Sequence, residues 1–169
     1  MTPSFPKIDF AKHDVQLEGA SILSQEQFVA RPRAEVFEFF SDAQNLERLT
    51  PPWLNFQIVE IPDELAEGAL IRYRLALRGL PLHWTTRIEE WVPGERFVDV
   101  QLSGPYSLWH HTHEFEDAEG GTLIRDVVRY RVPFGPIGEV VRRALVDRDT
   151  KKIFDYRREM IEREFASAS

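Results

Sequence analysis

Strand-like segments separated by turn signals predict seven β-strands, and in the clearest of them apolar and polar residues alternate with a period of two. In residues 69–78, for example, Ile71 and Tyr73 alternate with Arg72 and Arg74. The predicted strands span residues 22–30, 54–61, 69–78, 82–92, 96–102, 106–116 and 122–132. Short Gly- and Pro-containing turns separate most of the later strands, so we expect an antiparallel meander.

Two other regions show a helical period instead. Residues 33–42 and 43–49 predict two short helices after the first strand, and Pro51 and Pro52 end the second.

The last helix is predicted to be much longer. From residue 136 to 165 the apolar positions step mostly by three and four, beginning with Ile137, Val140 and Val141. Such a helix would be about 45 Å long. Because it cannot bury its apolar stripe alone, we expect an α+β fold in which a strongly curved antiparallel seven-stranded sheet wraps around it.

Composition limits the functional class. The 169 residues suit a single domain, which we place at 22–169 after an N-terminal arm at 1–21. A net charge of −7 disfavours a general nucleic-acid partner. The chain has no cysteine, which excludes disulfides and thiol catalysis and suits a cytoplasmic location. No segment predicts a signal peptide or a membrane-spanning helix.

The order of these elements resembles the helix-grip fold of the START-like (SRPBCC) superfamily, which includes Bet v 1-like and polyketide cyclase/dehydrase-like proteins. The resemblance covers about residues 22–165, and the chain is similar to a bacterial ligand-binding branch of unknown function. It is carried by FVARPRAEVFEFFSD (28–42), LTPPW (49–53), GPYSLWHHTHEF (104–115), GTLIRDVVRYRVPFGPIG (121–138) and IFDYR (153–157). The resemblance implies a deep cavity between sheet and last helix that holds a small hydrophobic or amphipathic molecule.

Three of the five histidines lie in the sixth predicted strand, within a stretch of four residues (110–113). Trp109, His111, His113 and Phe115 share one face, and the two aromatic side chains favour the inner face. His110 then lies on the outer face, where we expect it to be exposed and without a role.

The seventh strand should bring a carboxylate to these histidines. Asp126 and Tyr130 lie opposite the Arg125 and Arg129 face, which we expect to meet water, so they should point inward. Asp126 then faces His111 or His113, depending on where pairing begins. Opposed side chains have Cβ atoms about 4.5–5.5 Å apart, so a His–Asp hydrogen bond should raise the imidazole pKa.

Four interpretations of this cluster remain open. It is a buried network that fixes strand register, a contact for the polar end of a ligand, an acid–base site, or a metal site. The His-x-His pattern is typical of cupins, but no histidine follows His113, and His83 should face outward beside inward Trp84. We therefore predict no metal and no cofactor.

Other cavity-lining candidates are Tyr73, Leu75, Trp84 and Phe154, each of which also suits a plain core position. Asp99 and Gln101 stay undecided, because a one-residue slip in the preceding strand exchanges them for Val98, Val100 and Leu102.

We expect the protein to bind or carry a small hydrophobic or amphipathic molecule. One alternative is an aromatic polyketide cyclase/dehydrase-like enzyme that uses His111, His113, Asp126 and Tyr130. Another is a protein-interaction module, which predicts an exposed apolar patch and a small or filled cavity.

Overall fold

One antiparallel sheet of seven strands forms the body of the computed structural model, which describes residues 17–166. Its strands are β1 (Ser21–Val29), β2 (Gln57–Glu60), β3 (Leu70–Leu77), β4 (Leu80–Val92), β5 (Arg96–Ser103), β6 (Leu108–Ala118) and β7 (Gly121–Arg131). The strand order is β1-β7-β6-β5-β4-β3-β2, so the first strand pairs with the last. This is the curved sheet of the predicted helix-grip α+β fold.

Two short helices follow the first strand, as predicted. They are α1 (Arg33–Ser41) and α2 (Asn45–Leu49), and a 3₁₀ turn at Pro52–Leu54 continues them. Helix α1 buries Val36, Phe37 and Phe40 against the sheet. The Phe37 ring contacts that of Phe115 on β6 with centroids 5.3 Å apart, which closes this end of the fold over an aromatic core.

The C-terminal helical run is not the single regular helix that the pattern predicts. It consists of α3 (Gly135–Val141), a π-helical turn (Arg142–Val146) and α4 (Asp147–Ala166). A π turn holds more residues than an α turn and so rotates the faces on its two sides relative to each other. Ile137 and Val140, expected on the buried stripe, are 73% and 68% exposed, and Val141 is also exposed.

The second part of the run fills the concave side of the sheet. Helix α4 buries Thr150, Phe154 and Ile161. Ile161 belongs to the larger apolar cluster with α1, whereas Phe154 packs in a smaller one with Val128 and Tyr130.

The outer face of the sheet is drier than predicted. His110, expected to be exposed, is fully buried, as are Thr112 beside it and Val98 on β5. His110 lies on a central strand with Val100 and Arg129 as its register partners, and Val100 is itself buried. A side chain flanked on both sides in this way keeps little contact with water, so an inward–outward pattern alone does not report its exposure.

The predicted arm, residues 1–21, lies mostly outside the described residues. The described part begins with residues 17–20, and Ser21, assigned to the arm, already pairs with Tyr130 as the first residue of β1. Between residues 17 and 166, no helix combines the length and apolar character that a bilayer crossing requires.

Candidate functional site

A cavity of about 170 Å³ lies between the inner face of the sheet, the helices after β1, and α4. Most of its wall is apolar, both aromatic and aliphatic, and the wall also carries a cluster of charged and imidazole side chains. The aromatic wall residues are Phe39, Phe40, Phe56, Tyr73, Trp84, Phe97, Tyr106, Trp109 and Phe154. The charged and imidazole side chains in the central polar region of the wall are Asp99, His111, His113 and Arg157.

Strand register builds the aromatic part of the wall. Tyr73 and Trp84 are partners on β3 and β4, and their rings stack with centroids 5.8 Å apart and planes 19° apart. Trp109 on β6 meets Trp84 edge to face at 5.4 Å. Leu75 and Phe154, which were also proposed from the sequence, line the cavity, and both are buried.

Two carboxylates hold the two wall histidines at opposite edges of their rings. Asp126 Oδ1 lies 2.9 Å from both His111 Nε2 and His113 Nδ1. Asp99 Oδ2 lies 2.8 Å from His113 Nε2 and 3.6 Å from His111 Nδ1. The imidazole centroids are 3.7 Å apart, so the four side chains form one compact unit.

The strand pairing that creates this unit settles both open questions of register. Asp126 is the direct partner of His113 on β7, yet its side chain reaches His111 as well. Asp99 is the direct partner of His111 on β5 and points into the cavity, whereas Val98 and Val100 face outward. Sequence spacing alone left Asp99 undecided because the β5–β6 connection is irregular.

Gln101 shares the inner face but does not join the cavity wall. Its Nε2 donates to the carbonyl of Tyr106 at 2.6 Å, and its Oε1 accepts from the Tyr106 N–H at 3.3 Å. Its polar groups are thereby used to hold the loop before β6.

Arg157 is a charged wall residue that sequence reasoning missed. Its Nε lies 3.9 Å from Asp126 Oδ2, and its guanidinium carbon lies 5.4 Å from the Phe40 ring centroid. The available signal was spacing, because Arg157 is three residues after Phe154 and so lies on the same face of α4.

Two predicted site residues do not line the cavity. Asp126 lies behind the histidines and contacts them rather than the open space. Tyr130 is the partner of Trp109, as one of the two expected registers requires, but its hydroxyl donates to Asp147 Oδ1 at 2.6 Å. His83, predicted to face outward, is exposed.

Comparison with known proteins agrees with this architecture. Residues 29–155 match the family described as polyketide cyclase / dehydrase and lipid transport. The chain belongs to this family. It is thus a member of the START-like (SRPBCC) superfamily that its sequence resembles.

Solved structures similar to this family member share its fold at low identity. TTHA0849 from Thermus thermophilus is 19% identical, with a TM-score of 0.66 over 88% of this chain and 99% of that one. Ara h 8.0201 is 17% identical, with a TM-score of 0.60 over 85% and 98%. A nucleoside-diphosphate sugar epimerase from Corynebacterium glutamicum is 27% identical, with a TM-score of 0.61 over 83% of this chain but 28% of its own. No curated protein matches the chain by sequence.

The charge distribution of the cluster in this family member follows from its contacts. Burial by itself would raise the pKa of Asp126, but Arg157 and the two histidines outweigh burial and hold it well below its usual value. Burial would likewise raise the pKa of Asp99, and His111 and His113 together lower it. Both carboxyl groups are therefore ionised at neutral pH.

The two histidines differ in pKa although they share the same carboxylates. Burial opposes a charge on His113, yet hydrogen bonds to Asp126 and Asp99 outweigh it and raise the pKa. For His111, burial and the adjacent charge of His113 lower the pKa to about 4. The expected upward shift is thus confirmed for His113 and wrong for His111, because two touching imidazoles do not both take a proton.

Proposed function

We propose that the protein binds and carries a small amphipathic molecule, with an apolar body among the cavity aromatics and one polar group at Asp99 and His111. The observation that carries this proposal is a cavity whose wall is apolar over most of its area and carries one cluster of charged and imidazole side chains. Membership of a family described by both cyclase/dehydrase activity and lipid transport supports a small-molecule role.

The cavity size favours a small ligand. Sites for drug-sized molecules enclose roughly 300–1,000 Å³. The volume here, about 170 Å³, is below that range. We therefore infer a ligand built on one small ring system or a short chain rather than a full-length lipid.

The polar region also constrains the ligand's polar group. Asp99 is the most exposed of the four clustered His and Asp side chains, at 17%, and a carboxylate accepts hydrogen bonds but donates none. A ligand hydroxyl that donates to Asp99 satisfies it, whereas a ligand carboxylate there meets a like charge. We infer a neutral donor, such as a phenolic or alcoholic O–H.

A cyclase/dehydrase-like enzyme is the second candidate. The observation in its favour is that His111 borders the cavity while Asp126 orients its ring, an arrangement that suits a general base. The role considered for Tyr130 loses support, because its hydroxyl is engaged by Asp147 away from the cavity.

A protein-interaction module has weaker support. An exposed apolar patch does exist around α3, where Phe134 is 80% exposed. However, that interpretation also predicts a filled interior, and the interior here contains a cavity.

The experiment is isothermal titration calorimetry with 2-naphthol and its methyl ether, together with native mass spectrometry of freshly purified protein. We expect 2-naphthol to bind at least tenfold more tightly than 2-methoxynaphthalene, because the ether has no O–H to donate. Leu75→Trp should abolish binding by filling the cavity, while Leu80→Trp, at a position 69% exposed, should not. The proposal fails if neither probe binds and no small molecule co-purifies.

A further inference from the structure

Three side chains in the cavity wall present metal-ligating atoms close together. One such atom from each of Asp99, His111 and His113 lies within 4.8 Å of those from the other two. The ring nitrogens that face Asp99 Oδ2 are His111 Nδ1 and His113 Nε2. We infer that these three atoms form a binding site for a divalent transition-metal ion of the Zn²⁺ or Fe²⁺ class. The site shares Asp99 and His111 with the proposed function, but its test concerns the metal ion alone.

The donor set matches that class of ion. Two imidazoles with one carboxylate ligate catalytic zinc and non-haem iron, whereas Mg²⁺ and Ca²⁺ prefer oxygen ligands. A tetrahedral ion with bonds of about 2.0–2.1 Å holds its ligand atoms roughly 3.3 Å apart. The present separations from Asp99 Oδ2, 2.8 and 3.6 Å, lie on either side of that value.

Asp126 supplies the support that ligating histidines need. Metal-bound histidines usually donate the other ring N–H to a carboxylate, which fixes their tautomer. Here one carboxylate serves both rings, at 2.9 Å from His111 Nε2 and 2.9 Å from His113 Nδ1. With those nitrogens donating, the nitrogens that face Asp99 are the ones to bind an ion, and His113 Nε2 releases its proton to solvent when it does so.

Arg157 fixes this assignment further. Its Nη2 lies 3.4 Å from His113 Nδ1, but an arginine only donates, and the carboxylate of Asp126 is closer. Nδ1 of His113 therefore keeps its hydrogen for Asp126. The positive charge of Arg157 opposes a nearby cation, and its approach to Asp126, with Nε 3.9 Å from Oδ2, offsets part of that repulsion.

A network without metal accounts for this geometry less completely. A proton between His113 Nε2 and Asp99 explains the 2.8 Å contact. It leaves His111 Nδ1 directed at the same carboxylate oxygen at 3.6 Å, beyond hydrogen-bond length. A cation between the three atoms satisfies both contacts, and all three residues line the cavity.

Sequence reasoning rejected a metal because it sought the third ligand on the histidine strand or at His83. The third ligand comes instead from the adjacent strand β5, where Asp99 is the register partner of His111.

The test is titration of tag-free protein, stripped with a chelator, with Co²⁺ followed by its visible d–d absorption and with Zn²⁺ followed by calorimetry. We expect one ion per chain. Asp99→Asn and His113→Gln should weaken binding at least 100-fold, and Asp126→Asn by about 10–100-fold. The control is His83→Gln, which removes an exposed histidine and should leave binding unchanged.

A second measurement uses the wild-type protein, so the test does not depend on whether the variants fold. Nitrogen NMR of the wild-type imidazoles should show Zn²⁺-dependent shifts at His111 Nδ1 and His113 Nε2, while the partner nitrogens keep their hydrogens. Absence of saturable binding, or shifts confined to His83, overturns the inference. If the metal titration fails while 2-naphthol still binds in the presence of chelator, the metal site is refuted and the proposed carrier function stands.

Discussion

His113 and Asp126 are direct register partners on β6 and β7, and Nδ1 of the histidine lies 2.9 Å from Oδ1 of the aspartate. The same oxygen reaches His111, so one buried carboxylate fixes two imidazoles and also approaches Arg157. This concentration of charged contacts on one side chain makes Asp126 the first position to test.

Asp126→Asn should destabilise the fold by about 3 kcal/mol, because removing one charge from a buried ionic group leaves its partners uncompensated. Urea unfolding followed by circular dichroism measures the difference. The matched control is Asp117→Asn, whose carboxylate is 71% exposed and paired with Arg33, and which should change stability by less than about 0.5 kcal/mol. Equal effects for the two variants would show that the cluster does not stabilise the fold.

Phe154→Ala should cost about 3–5 kcal/mol, because Phe154 is 4% exposed and its loss enlarges the cavity rather than allowing collapse. Thermal unfolding of the ligand-free protein gives the comparison. Phe134→Ala, at a position 80% exposed, serves as the control and should be nearly neutral. The packing role assigned to α4 is wrong if Phe154→Ala unfolds at the wild-type temperature.

Alkaline pH should unfold the protein in step with ionisation of its buried tyrosines. Burial is the main cause that raises the pKa of Tyr73, Tyr106 and Tyr130 above the ordinary value of 10. In the unfolded chain these phenols ionise near pH 10, so their contribution to stability is complete below that pH and is lost as pH rises toward the folded values.

The measurement is phenolate absorbance recorded together with circular dichroism through the alkaline range. We expect most of the phenolate signal to appear with the unfolding transition. Tyr130→Phe should reduce that amplitude by one phenol. Complete ionisation near pH 10 in a protein that stays folded contradicts the burial of these rings.

The local sequence pattern was sufficient to predict most elements of the fold. Apolar segments separated by turn signals identified all seven strands, and alternation placed Tyr73, Trp84 and Trp109 correctly on the inner face. It could not locate the π turn at residues 142–146, because an extra residue per turn leaves no compositional mark.

The candidate site was predictable only in part, for a related reason. His111, His113 and Asp126 belong to adjacent strands joined by a short turn, so their proximity follows from sequence. Asp99 depends on the exact register across an irregular loop, and Arg157 depends on how α4 packs across the sheet. Both positions depend on tertiary packing and register, which a local sequence pattern does not determine.

Because both faces of β6 are buried, this strand should tolerate few substitutions. Six successive residues, 110–115, are buried on this strand. On β3, the exposed Arg72 and Arg74 alternate with more buried neighbours. A library of single substitutions should therefore give an unbroken block of loss-of-abundance variants from His110 to Phe115. Along residues 70–77, by contrast, tolerance should rise and fall with each step, most clearly at Arg72 and Arg74.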